Sequence, residues 1–193
     1  MSIVWTIITF IGIIIIGWML YALPATFSLK RGTRVGIKRL NIDKAIEELK
    51  VTKSTGFELI EKCRLLIVTR MRYNRRNSFD SYKTAFGRGY GYCQQQAFAL
   101  RYILTRLGFT ARVVYTVRAR FSNRVTGGHA WVRVSYGGTT KDIDLTDIDL
   151  TSDKISFMPL TKVRCYTWFS RLLAGWGSIA VNAHRYYKSG KDI

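Results

Sequence analysis

Three side chains in this sequence have the chemistry for a joint attack on an acyl carbon: Cys93, His129 and Asp144. Cys93 lies in GYGYCQQQAFALRYILTRLGF, between a Gly/Tyr-rich stretch and the first turn of a segment with helical spacing. The thiolate is the nucleophile of a cysteine enzyme, and an ordinary thiol titrates near about 8.5. A helix N-terminus helps, because its dipole and unpaired N–H groups favour negative charge at the sulfur. His129 opens the strand-like GGHAWVRV. An imidazole there could take the thiol proton and later deliver it to a leaving group. Asp144 follows in KDIDLTD, and a carboxylate can orient the ring and stabilise its charged form.

The spacing permits a geometric test. If Gly137-Gly138 are the central residues of a hairpin turn, Tyr136 pairs with Thr139. Asp144 then faces Trp131, His129 faces Thr146, and His129 and Asp144 become diagonal neighbours on one face. Such Cβ atoms lie about 7 Å apart, within reach of a ring and a carboxylate. Asp142 falls opposite Arg133, one step further from His129. Asp144 is therefore preferred as the orienting acid, with Asp142 left open.

The elements that must hold these residues follow from periodicity and punctuation. Asn41 or Asp43 caps a short helix through Leu49, and Thr55 to Met71 reads as a longer one that takes Cys63 into the core. Asn74 to Tyr92 is polar and aromatic and reads as a loop. Cys93 to Leu107 is a helix with Ala97, Leu100, Ile103 and Leu104 on its buried face, stopped by Gly108. Arg112 to Arg120 and Ala130 to Tyr136 are rich in Val and Tyr and suit strands. Val163 to Tyr187 is again helical in pattern, interrupted at Gly175 and Gly177. Its LLAGWGSIAV run is too short to span a bilayer, so an amphipathic helix on membrane or domain, or a buried packing helix, is expected.

In this order the motifs resemble the transglutaminase-like superfamily of papain-type cysteine enzymes. GYCQQQAFALRYILTRLGFTARVV, then GGHAWVRV, then DIDLTD stand where that family has a Cys-initiated helix, a HAW strand and an Asp before Thr. The resemblance covers roughly residues 55 to 150. It implies an α+β fold, with N-terminal helices packed on an antiparallel sheet, and the roles of nucleophile, base and orienting acid for Cys93, His129 and Asp144. Two departures stand out. Relatives often carry Trp before the Cys, where this chain has Tyr90 and Tyr92, and Asp-Pro-Thr is here Asp144-Leu145-Thr146. Tyr90, Tyr92, Gln94 and Trp131 are the candidates for groove lining or for oxyanion donors beside the Cys93 N–H, with core packing the alternative for Trp131 and loop packing for the tyrosines.

Ile3 to Leu23 contains no charged side chain and is long enough to cross a bilayer core as a helix ended by Pro24. Trp5, Trp18 and Tyr21 sit toward its ends, as interfacial aromatics do. MSIVW lacks the basic side chain of a signal peptide, and ALPAT lacks its cleavage site. Lys30, Arg31, Arg34, Lys38 and Arg39 follow, so the positive-inside rule puts the remaining chain in the cytoplasm. The organisation expected is an anchor at 1–24, a basic linker at 25–40, a catalytic domain at 41–160 and a helical tail at 161–193.

The 193 residues carry a formal charge of +19, which calls for an acidic partner: anionic lipid, nucleic acid or acidic protein. Arg70, Arg72, Arg75 and Arg76 with Tyr73 form a basic-aromatic patch, but no nucleic-acid motif accompanies it. The cysteines Cys63, Cys93 and Cys165 form neither a disulfide framework nor a zinc pattern. No metal or cofactor is called for; the aspartates of DIDLTDID serve the site and a turn, with metal binding the lesser alternative. The function expected is a membrane-anchored cysteine peptidase or amidase acting on a protein or peptide through a thioester. Alternatives are transglutaminase or ligase acyl transfer, and an inactive basic domain that binds lipid or nucleic acid.

Overall fold

A computed structural model describes residues 3–28, 32–38, 40–74, 80–122, 124–145 and 157–189. The first helix, α1 (Ile3–Ser28), is long and apolar enough over Ile3–Ala25 to cross a membrane. It runs through Pro24, the expected end of the span. The linker that follows is docked. The Arg34 backbone N–H donates to the Arg88 carbonyl (2.9 Å), and its guanidinium donates to the Thr69 carbonyl (2.8 Å). Lys30, Arg31 and Arg39 lie outside the described residues.

Helix α2 (Ile42–Lys50) is capped by the Asn41 side chain, which accepts from the Asp43 N–H at 2.9 Å. Helix α3 (Gly56–Arg70) buries Ile60, Cys63 and Ile67. The expected loop at 74–92 contains a helix, α4 (Tyr82–Arg88), and two residues of strand, β2 (Tyr90–Gly91), parallel to β1 (Arg72–Tyr73). Ser81 caps α4 by accepting the Thr84 N–H, and Gly89 ends it in the left-handed region at φ 78°. Under two turns long, α4 is too short to show a period of its own.

Helix α5 (Cys93–Arg106) is the centre of the core. Ala97, Leu100, Ile103 and Leu104 are all fully buried, against α3, α4 and the sheet. The sheet is antiparallel, ordered β5 (Thr139–Ile143), β4 (Thr126–Tyr136), β3 (Thr110–Phe121), β6 (Phe157–Pro159), with β7 (Arg164–Cys165) also on β3. The β4–β5 register is the expected one: Tyr136 pairs with Thr139, Arg133 with Asp142 and Val132 with Ile143. Gly137 and Gly138 turn the hairpin at φ 57° and 78°, the positive values a primed turn needs.

The chain does not become helical at Val163. β7 comes first, and α6 (Trp168–Ser189) then runs unbroken through Gly175 and Gly177. Thr167 and Ser170 cap it reciprocally, each side chain accepting the other's backbone N–H at 3.1 and 2.8 Å. α6 crosses α1, with Trp176 stacked on Trp18 (4.7 Å) and Tyr187 on Tyr21 (4.9 Å). Ala22 and Ala25 of α1 and Ala183 of α6 are buried, small residues of the kind that let helices approach closely.

Gly138→Val forces a β-branched residue into the left-handed region, a penalty of about 1–2 kcal/mol. The expected outcome is a loss of unfolding free energy of that size in urea titrations of the full chain in micelles, while Gly127→Val at the far end of β4 avoids the φ penalty.

Candidate active site

Cys93 is the first residue of α5, half-buried where the Gly/Tyr stretch enters the helix. The turn is fixed from both sides. Gln95 Oε1 accepts the Tyr92 N–H at 3.2 Å, and the Gln95 amide donates to the Asp80 carbonyl at 2.8 Å. The first N–H groups of a helix lack intrahelical partners and point outward at the sulfur's side. Cys63 has a different environment: burial pushes its thiol up to about 12, which leaves it an inert core residue. Cys165 is exposed on β7.

His129 reaches this helix start from β4. Its Nε2 lies 2.9 Å from Asp144 Oδ1, and both side chains are almost wholly buried. Asp144 Oδ1 also accepts the Leu145 N–H at 2.7 Å, which holds the carboxylate beside the ring. The Cys93 side chain acts on the same imidazole and helps to raise it, while Asp144 occupies Nε2. Aromatic rings complete the wall: Phe157 at 4.4 Å, Phe121 at 5.2 Å and Trp131 at 6.0 Å. Burial opposes a charge on this ring, yet the hydrogen bonds to Asp144 and Cys93 outweigh it and raise His129 to about 9. Asp142 is committed elsewhere, to a two-pronged ion pair with Arg133 at 2.6 and 2.7 Å.

The other candidates separate. Tyr92 and Gln94 line a cavity of about 490 Å³ together with Cys93 and His129. The Tyr92 hydroxyl donates to Gln94 Oε1 at 2.6 Å, so the Gln94 amide N–H groups are its remaining donors. Tyr90 does not line this cavity; it sits on β2, near Gly32 of the linker. Trp131 does not line it either. It is buried with Val114, Ala119 and Phe157, behind the imidazole, because the pleat turns it into the second core cluster. Thr146 and residues 147–150 lie outside the described residues.

Sequence reasoning missed several groove residues. Tyr115 and Tyr166 form one wall, their rings 4.3 Å apart, and burial pushes the Tyr166 hydroxyl up so that it stays protonated. The opposite wall is α6, through Ser170, Leu173, Ala174, Gly177, Ser178 and Val181. The sheet pairing of β6 and β7 with β3 brings that tail back, and no local signal announces it. The basic-aromatic patch is partly structural. Arg70 donates to the carbonyls of Lys38 and Phe86 and lies 5.7 Å over the Phe86 ring, while Arg75 and Arg76 lie outside the described residues. Among the described residues no cluster of His, Cys, Asp or Glu could hold a metal ion.

An unfolded histidine titrates near about 6.5, and His129 in the fold near about 9. Its stabilising contribution is therefore complete below pH about 6.5 and is lost as pH rises through about 9. Urea midpoints at intervals from pH 6 to 10 are expected to fall across that window in the wild type. Asp144→Asn is expected to lower the midpoint at pH 6 and flatten the fall; an unchanged slope contradicts the pairing.

No curated protein matches the chain. A protein-family comparison matches residues 44–142, described as the transglutaminase-like superfamily core. That span takes in Cys93 and His129 and ends two residues before Asp144. With over half its length matched and an α+β core of helices on an antiparallel sheet, the chain belongs to the transglutaminase-like superfamily.

Proposed function

We propose that this protein is a membrane-anchored cysteine hydrolase, a peptidase or amidase in which Cys93 is the nucleophile, His129 the base and Asp144 the orienting acid. The observation that carries the reading is one buried imidazole, hydrogen-bonded to a carboxylate through Nε2, in the same cleft that the helix-initial Cys93 lines. Cys93 Sγ, as a thiolate paired with the His129 imidazolium, attacks the carbonyl carbon of an amide. The oxyanion that forms is met by the Cys93 N–H at the helix start, with the Gln94 amide as the side-chain donor. The C–N bond then breaks, His129 protonates the departing amine, and a thioester remains on Cys93. Water, deprotonated by His129, attacks the thioester; the C–S bond breaks, and the thiolate–imidazolium pair is restored.

Asp144 acts through His129, holding the tautomer and offsetting the charge of the imidazolium. Amine in place of water would make the same site an acyl transferase, and the chemistry up to the thioester is shared. The anchor is α1, and the basic residues after it favour a cytoplasmic active site. A basic domain that only binds polyanions is the weaker reading, since Arg70 is engaged by backbone carbonyls.

Iodoacetamide labelling of the full chain at pH 6.5, read by peptide mass, tests the assignment. Cys93 is expected to react at least about tenfold faster than Cys165. His129→Ala is expected to remove that advantage and Asp144→Asn to reduce it, with Cys165 unchanged. Equal rates at Cys93 and Cys165, indifferent to both substitutions, would remove the basis for an assembled thiol enzyme.

A further inference from the structure

The cleft beside Cys93 has a composition unlike the rest of the chain. Among the described residues its lining holds no Lys, Arg, Asp or Glu, in a protein of net charge +19. Tyr115, Leu173 and Val181 give it apolar walls, and Gln94, Ser178 and the Tyr92 hydroxyl supply uncharged hydrogen-bonding groups. A hydrocarbon chain needs no such donors and acceptors; a peptide backbone with apolar side chains uses both kinds of wall.

α6 roofs this cleft and also a second cavity of about 540 Å³ across the Tyr92–Gln94 pair. Gly177 faces the first and Gly175 the second, and a Cβ at either position would meet nothing within 4 Å. A mid-helix glycine weakens a helix relative to alanine. Here each leaves open space over the groove. The same helix crosses the end of α1, where Trp18, Tyr21, Trp176 and Tyr187 gather as interfacial aromatics do. The groove therefore opens next to the membrane–water boundary that α1 would define.

We infer that the groove under α6 binds an uncharged, apolar peptide segment presented at the bilayer surface, with the space over Gly177 taking one of its side chains. This rests on Cys93 being the nucleophile, as proposed above. It differs from recruitment of an acidic peptide by net charge, because that charge acts on the surface, while the groove walls beyond the Cys93–His129 pair carry no charged side chain.

The test uses the full chain in nanodiscs of neutral lipid and four reagents with one reactive group. These are iodoacetamide, iodoacetyl-Leu-Ala-Val amide, the same peptide with Glu for Leu and Val, and N-dodecyl iodoacetamide. Labelling at Cys93 is read relative to Cys165 in the same sample. The Leu-Ala-Val reagent is expected to raise that ratio about tenfold over iodoacetamide. Gly177→Leu is expected to remove the gain while leaving Cys165 labelling and the circular dichroism spectrum unchanged. Ala174→Leu, on the same wall, is the second variant should the first fail to fold. Preference for the Glu peptide, preference for the dodecyl chain, or a gain that survives both filled variants overturns the inference. The plain iodoacetamide rate in His129→Ala reports separately on thiol activation, so the failure of one reading is not mistaken for the failure of the other.

Discussion

The hydrogen bond between His129 Nε2 and Asp144 Oδ1, 2.9 Å long and shielded from water, is the constraint on which the rest of the site depends. A carboxylate at that depth is tolerable only if its lone pairs are used, and the Leu145 N–H and the imidazole use them. Both residues must therefore stand in one register on neighbouring stretches of chain. A one-residue slip of the β4–β5 hairpin would turn Asp144 to the opposite face. The two positive-φ glycines of the turn set that register, so backbone conformation at Gly137 and Gly138 is linked to the protonation of a ring eight residues away.

The ring in turn ties two layers together. It leaves β4 among Phe121, Trp131 and Phe157, and meets the N-terminus of α5, the most buried helix of the molecule. Helix position and sheet register thus meet at the sulfur. α6 adds a third element, reaching back over the cleft while it packs against α1. Groove, core and apolar N-terminal helix are joined through that one helix, which couples α1 to the mouth of the cleft.

Much of this was legible in the residues. Ala97, Leu100, Ile103 and Leu104 recur at helical spacing, and Gly137-Gly138 determine a turn, so α5 and the β4–β5 pairing followed from periodicity and local backbone preference. The juxtaposition of His129 and Asp144 followed from the pairing. For Tyr90 and Trp131 the sequence leaves two places open, because alternation names a face without saying what covers it: Trp131 takes the core position rather than the cleft wall, and Tyr90 lies near the linker. α4 escaped notice because seven residues carry too little period, although Ser81 and Gly89 bracket it. The groove wall on α6 escaped because it is set by β6 and β7 pairing with β3, contacts distant in sequence that no local pattern encodes.

The central claim is that an acyl group passes through a thioester on Cys93. It is met most directly by mixing the full chain with an activated acyl ester, quenching in acid and locating the acyl mass by peptide mapping. The account predicts a hydroxylamine-labile acyl group on the peptide containing Cys93, formed in wild type, lost in Cys93→Ala and strongly reduced in His129→Ala. Acylation spread equally over Cys93 and Cys165, or undiminished in His129→Ala, would contradict it.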